Sequence, residues 1–368
     1  MNMLFIIPDP AANPGDTIIR HGVIELLGSC LGSCSPDYYY FESDRPELVE
    51  HNAAILQKDY DLLVVCGTPW LWDHCISSRK YRELQGLLSA FASATKIALG
   101  IGACLPFGET SKLLCRDQAT VAGLQNVWEQ FALITTRDRL AATILRKCGI
   151  PHHSDFCPSV LAVAHHDRQG ASYVHAGGKR KGGLVFYTPQ HGISRTVLPR
   201  EFVRQYLEMQ ISLARNHDLE VACLLPHERD YLADIFPDRD IAILDRAEKI
   251  IAFVANRETV ITGRVHVAIP AFLAGAATFL LPVDSRYRTA AELGIPILWR
   301  YKTFFPIGRL RPRLFLSLLG SMRLTDLLLS PGTKPASQSL DLEAYRERHR
   351  RLFAKIQQQG PPNIASNS

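Results

Sequence analysis

The chain has 368 residues, 47% of them hydrophobic and 21% charged, with a formal net charge of +5; this is a globular composition with room for two domains. So mild a charge, with acids and bases interspersed and no RNP-like, zinc-finger or basic-region pattern, argues against nucleic acid and leaves room for a small anionic ligand. Nine cysteines, irregularly spaced and without a C-x-x-C pair, speak against a disulfide framework and against a zinc site. The start "MNMLFIIPDPAANPGD" lacks a basic n-region, and about 18 apolar residues nowhere run without a charge. A soluble, cytoplasmic protein is expected.

In chain order, "LFIIP" (4–8) predicts a buried strand, followed by a loop and a helix over 17–31. Strands are expected at "DLLVVCG" (61–67), "KIALGIG" (96–102) and "ALITTRD" (132–138). Helices fall between or after them, at 79–91, 117–131 and 138–147. Such alternation of short apolar runs with amphipathic segments predicts a parallel sheet covered on both faces.

The rhythm breaks at "HHDRQGASYVHAGGKRKGG" (165–183), a stretch rich in Gly, His and basic residues that reads as a linker. Beyond it come strands at 184–189, 219–226, 258–263 and 277–283, with helices at 198–216, 246–255 and 264–274. The predicted architecture is therefore α/β: two doubly wound Rossmann-like domains, 1–164 and 184–330, joined by the linker and followed by a C-terminal helix and tail, 331–368. Paired folds of this kind bind small molecules in the cleft, at the carboxyl ends of strands. Within 303–330, Arg309, Arg311 and Arg313 beside Leu314, Phe315 and Leu316 form a basic amphipathic pattern. It suits either peripheral contact with an anionic membrane surface, which would place the protein at the inner face of the membrane, or a helix packed back with solvated arginines.

The most informative stretch is "ITGRVHVAIPAFL". It places Gly263 at a turn after a strand, with Arg264 and His266 opening a helix, where free N–H groups and the positive end of the dipole gather. An Arg added there suits a phosphate or carboxylate, and His266 adds a proton-transfer group near neutral pH. The competing reading is an Arg that caps or bridges, with His266 satisfied in the core. Dinucleotide and P-loop motifs are absent, as is a G-x-S-x-G elbow.

Extended to "ITGRVHVAIPAFLAGAATFLLPVDSRYRTAAELGIP", the same stretch resembles the signature of the polysaccharide pyruvyl transferase family. The matching positions are Arg264, His266, Gly275, Asp284, Arg286 and Gly294-Ile295-Pro296. "NPGDTIIRHGVIELL", "ITTRDRLAATILRKCGI" and "SDFCPSVLA" are similar to three further family segments in order and spacing. The resemblance implies a GT-B-like arrangement with a cleft between the domains. It implies transfer of a pyruvyl group from phosphoenolpyruvate to a sugar of a glycan or lipid-linked precursor, forming a ketal without metal or other cofactor, and so a role in exopolysaccharide or cell-envelope biosynthesis. On that reading the C-terminal domain holds the donor through Gly263, Arg264, His266, Arg286 and His227, with His266 as proton donor. The N-terminal domain takes the acceptor through Asn13 and Asp16; Asp16 either orients or deprotonates an acceptor hydroxyl, as a catalytic residue, or is simply the N-cap of its helix. Where the family has glycines after its second strand, this chain reads "CGTPWLWDHC". Pro69 stiffens that loop, and Trp70 or Trp72 is available to stack on a sugar ring. His191 is a further histidine at a predicted strand end. Replacing Arg264 is expected to remove donor binding with little loss of stability. A nucleotide-sugar glycosyltransferase and a non-catalytic sugar- or anion-binding protein of the same fold are the alternatives.

Overall fold

The computed structural model describes residues 1–11, 13–32, 35–105, 111–112, 114–168, 181–189, 200–298 and 340–359. The expectations for His191 and for the 303–330 segment lie outside these residues. In the first half the elements are β1 (Met3–Pro8), α1 (Pro14–Leu31), β2 (Asp37–Phe41), α2 (Pro46–Ile55), β3 (Leu62–Cys66) and β4 (Pro69–Leu71). Then follow α3 (Arg79–Ala90), β5 (Thr95–Ala103), α4 (Gln118–Trp128), β6 (Leu133–Thr136), α5 (Arg139–Lys147), β7 (His153–Ser154) and α6 (Ala162–Arg168). The second half has β8 (Gly183–Val185), α7 (Arg200–Asn216), β9 (Glu220–Cys223), α8 (Pro226–Ile235), β10 (Ala242–Ile243) and α9 (Ala247–Ala255). It continues with β11 (Thr259–Thr262), α10 (Val265–Leu273), β12 (Ala277–Leu280) and α11 (Tyr287–Glu292), and α12 (Leu342–Gln359) closes the described chain.

Two parallel sheets result. The first runs β2-β1-β3-β5-β6-β7, with β4 pairing onto the end of β5; the second runs β10-β9-β8-β11-β12. The central strands β1 and β3 are continuous apolar runs because both faces are covered. In β1, Leu4 and Ile6 enter one core, while Met3, Phe5 and Ile7 enter the other; in β3, Leu63 and Val65 part from Leu62, Val64 and Cys66 in the same way. This is the two-residue period of a pleated strand. Strand order reverses between β1 and β3 in the first sheet and between β8 and β11 in the second. Crevices at the carboxyl ends of strands open at such points.

Helix α1 lies between the lobes. Its Ile19, Val23, Leu26 and Leu27 join the core under the first sheet, where Ala268 and Ile269 of α10 also pack, whereas the adjacent Ile18 joins the second sheet's core. The C-terminal helix returns to the first lobe: Tyr345 and Phe353 of α12 are buried in the same core as α1, and Arg346 donates to the buried carboxylate of Glu25 at 3.1 Å. Among the described residues no helix is long and apolar enough to cross a membrane.

Several boundaries differ from expectation for identifiable reasons. Helix α1 begins at Pro14, whose preset φ and missing N–H suit a first helical position. Asn13 is therefore the cap residue and Asp16 lies in the first turn, so the N-cap role for Asp16 is withdrawn. Residues 165–168 belong to α6, not to a linker, because His166 is buried. After Gly67 the chain forms not a loop but the short strand β4, which pairs in parallel, with a shift of register, onto the end of β5.

Candidate active site

One crevice receives the carboxyl ends of both sheets. The first lobe lines it with Asn13, Gly15 and Asp16 after β1, Pro69 after β3 and Arg137 after β6; the second with Tyr187 after β8, Gly263 to His266 after β11, and Asp284 and Arg286 after β12. Of the expected donor and acceptor residues, Asn13, Asp16, Gly263, Arg264, His266 and Arg286 therefore meet in one place.

Gly263 has a steric reason to be glycine. A Cβ there would lie 2.1 Å from Tyr206 Oη and 2.8 Å from Tyr187 Cδ1, so the turn passes closer to these rings than any side chain permits. Arg264 follows, with Cζ 4.6 Å over the Tyr187 ring and Nη2 donating to Glu228 Oε1 at 2.6 Å. Glu228, wholly buried, is held in turn by the N–H groups of Thr188, Leu224 and Leu225 and by the Thr188 hydroxyl. Arg264 thus has a structural ion pair of its own, and the expectation that it is removable without loss of stability is corrected: its removal strands a buried carboxylate. Its Nε is buried without a hydrogen-bond partner.

His266 sits in the first turn of α10. Arg137 Nη1 donates to its Nε2 at 3.1 Å, which places the ring proton on Nδ1, 3.6 Å from Asp16 Oδ1. That separation is too long for a hydrogen bond, and Asp16 Oδ1 has no partner. Burial first, then the charges of Arg137 and Arg286, hold His266 well below its ordinary value, so the ring is neutral at pH 7. As a proton donor it therefore needs a nearby anion to counter both the burial and those charges. Burial raises the Asp16 carboxyl against the opposing pull of Arg137, Lys80 and the Asn13 amide, which donates to Oδ2 at 3.0 Å. A carboxylate raised in this way is better matched to base work near neutrality.

Arg286 lines the crevice, but its guanidinium is forked onto Asp284 at 2.7–3.0 Å and also reaches Tyr187 Oη at 3.2 Å. Its charge is largely offset from within. Arg137, which the sequence reading did not single out, is different. It is 2% exposed, and among the described residues no carboxylate lies within ion-pair distance of it. It emerges past Gly102, where a Cβ would come within 2.3 Å of its Nε. Lys80 was also missed. Its Nζ donates to the Pro69 carbonyl at 2.8 Å and lies 4.0 Å from the Trp70 ring; burial pushes it down to about 7 against the pull of Glu42 and Asp16.

Three expected contacts are not formed. Trp70 is 0% exposed, because pairing of β4 with β5 turns its ring into the core against Phe41, Tyr81 and Trp128; it cannot stack on a sugar. Trp72 is half-buried against Tyr81 at 5.9 Å and does not line the crevice. His227 is exposed on the first turn of α8, 3.5 Å from the Thr188 hydroxyl and outside the crevice lining; its neighbour Glu228 is the residue that reaches Arg264.

A family model described as polysaccharide pyruvyl transferase matches residues 13–285. No curated protein matches the chain. Among solved structures, UDP-N-acetylglucosamine 2-epimerase from Rickettsia bellii is similar at a TM-score of 0.52 and 10% identity, over 97% of this chain and 95% of that one. The UDP-GlcNAc 2-epimerase of Methanocaldococcus jannaschii gives 0.49 and 12%, over 81% and 88%. The E. coli heptosyltransferase WaaC gives 0.39 and 10%, over 76% and 88%. At 10% identity the likeness to the Rickettsia bellii enzyme concerns the fold alone, which is of the GT-B type.

Proposed function

This chain belongs to the polysaccharide pyruvyl transferase family, and from that premise we propose that it transfers the pyruvyl group of phosphoenolpyruvate to a sugar of a glycan or glycan precursor, closing a cyclic ketal. The observation that supports this most is Arg137: a buried cation without an ionic partner among the described residues, facing a helix start that carries Arg264 across the crevice. Keeping such a charge unpaired is costly unless an anion completes it. A donor bearing both a phosphate and a carboxylate has one anion for each lobe.

In the reaction the donor's C3 gains a proton, C2 is attacked by one acceptor hydroxyl, the bond from C2 to the phosphate oxygen breaks, and a second hydroxyl closes the ring. The two hydroxyl protons end on C3 and on the released phosphate. Arg137 and Arg264 hold the donor's charges, with N–H groups at the start of α10 assisting. Burial and two arginines keep His266 neutral; with the donor offsetting the arginines' charge, the imidazole takes a proton and delivers it to C3. Asp16, beside His266 and raised by burial, accepts the proton of the attacking hydroxyl.

The test is phosphate release from phosphoenolpyruvate in the presence of sugar acceptors, with the ketal followed by mass spectrometry, and UDP- and GDP-sugars run in parallel. Turnover of a nucleotide-sugar in place of phosphoenolpyruvate would make the protein a glycosyltransferase. Donor binding without product on any acceptor would leave a binding protein. A rise of the His266 pKa in the NMR titration with phosphoenolpyruvate is expected; an unmoved resonance removes it from the acid role.

A further inference from the structure

Away from the crevice, at the junction of α1, α6 and α9, the protein buries a pair of imidazoles. His21 and His166 are 6% and 1% exposed and meet Nδ1 to Nε2 at 2.9 Å. Glu248, exposed on α9, brings its carboxylate to the same spot, and the three ligating atoms lie within 4.8 Å of one another. Among the described residues this is the group of His, Cys, Asp and Glu side chains with metal-ligand proximity. No spacing rule reveals it, since the two histidines are 145 residues apart in the chain. Two polar rings in a helix junction are an expensive way to fill space that apolar side chains would fill more cheaply.

We propose that His21, His166 and Glu248 form a binding site for a zinc-class divalent transition ion, tying the first lobe to the second. Two imidazole nitrogens and one carboxylate are a donor set for zinc, not for magnesium or calcium, which take oxygen. With Zn–N distances near 2.0–2.1 Å, tetrahedral geometry sets ligand nitrogens about 3.3 Å apart, so the rings need separate only slightly from their present contact. The Glu248 carboxylate already lies within reach of both rings, and water completes the fourth position. Loading the ion on Nδ1 leaves the proton on Nε2, which Arg20 Nη2 now approaches at 3.4 Å. Arg20 must therefore turn away, and the Tyr38 ring, over which its guanidinium already lies at 5.2 Å, gives it a place to rest. The ion takes no part in the chemistry. Its effect is positional, because α1 also carries Asp16, and α9 packs in the second lobe's core.

The full-length, chelator-stripped protein is titrated with zinc chloride against a chromophoric zinc indicator, and separately with cobalt(II) while visible absorption is recorded. One tight equivalent of zinc, a four-coordinate cobalt spectrum and a higher melting temperature with zinc are expected. Glu248→Gln, at an exposed position, should weaken binding by at least about tenfold, and His166→Gln should abolish it. His74→Ala and His153→Ala, at exposed histidines elsewhere, should change nothing. Absence of a stoichiometric zinc complex overturns the proposal, as does a Glu248→Gln protein that binds zinc like the wild type. If His166→Gln does not fold, the Glu248→Gln titration decides alone.

Discussion

Two strand ends face each other across the crevice with nearly the same local sequence: Ile134-Thr135-Thr136-Arg137 after β6 and Ile261-Thr262-Gly263-Arg264 after β11. Arg137 is buried and Arg264 partly buried, each at the mouth of a parallel strand, and both line the same crevice. Yet Arg264 is paired with Glu228 at 2.6 Å, whereas Arg137 donates to the neutral ring of His266 and, among the described residues, has no carboxylate within ion-pair distance. Position at a strand end supplies a cation. What the neighbouring helix offers decides whether that cation is already spent on the fold or kept for a ligand.

That contrast breaks most visibly in stability. Arg264→Met should cost about 3 kcal/mol in urea unfolding, because Glu228 is left buried without its cation. Arg137→Met should cost nothing or stabilise, since a buried unpaired charge is removed. Both should weaken phosphoenolpyruvate binding in calorimetry by roughly 10- to 150-fold, the equivalent of about 1.5–3 kcal/mol for a lost charge-assisted hydrogen bond. Equal stability losses in the two variants would erase the distinction. Next in size is Glu228→Gln, expected to lose about 1.5–3 kcal/mol of stability and to weaken donor binding less than Arg264→Met does, since the guanidinium remains but is no longer held.

Gly102→Ala sharpens the comparison from the other side. The added methyl collides with Arg137 and not with Arg264, at a stability cost of about 1–3 kcal/mol; donor affinity should fall with it, while the Arg264–Glu228 pair stays intact. The smallest effect is a pH dependence. His266 in the folded chain lies well below its ordinary value, so below about pH 6.5 the unfolded chain binds a proton that the folded chain refuses, and stability is lost as pH falls. His266→Gln removes this penalty. Unfolding measured at pH 7 and pH 5 should therefore move in the variant's favour at the lower pH, and a constant difference would refute the neutral assignment.

The strands and most of the helices were legible because continuous apolar runs and helical spacing are local signals. Less so were β2, whose tyrosines are only half-buried at a sheet edge, and β4, which exists because β5 is there to pair with it. In the site, the run from Gly263 to His266 and the segment from Asn13 to Asp16 carried their own punctuation of turn and helix start. Glu228 stands beside His227 in "LLPHERD" (224–230), and a histidine is the more conspicuous of the two; which of two adjacent helical residues points inward depends on packing. Arg137 had a usable signal, the likeness of its strand end to that of Arg264, which emerges only when the two stretches are set side by side. Trp70 misled because an aromatic after a strand looks available to a sugar, whereas the pleat of β4 decides which side it faces.

One further consequence follows from α1, whose neighbouring isoleucines are divided between two cores. A helix anchored on both flanks leaves little freedom for wide jaw-like opening, since separating the lobes would drag Ile18 or Ile19 into water. Substrate entry and product escape are then matters for side chains and the rim of the crevice, and small-angle scattering profiles with and without phosphoenolpyruvate should superimpose.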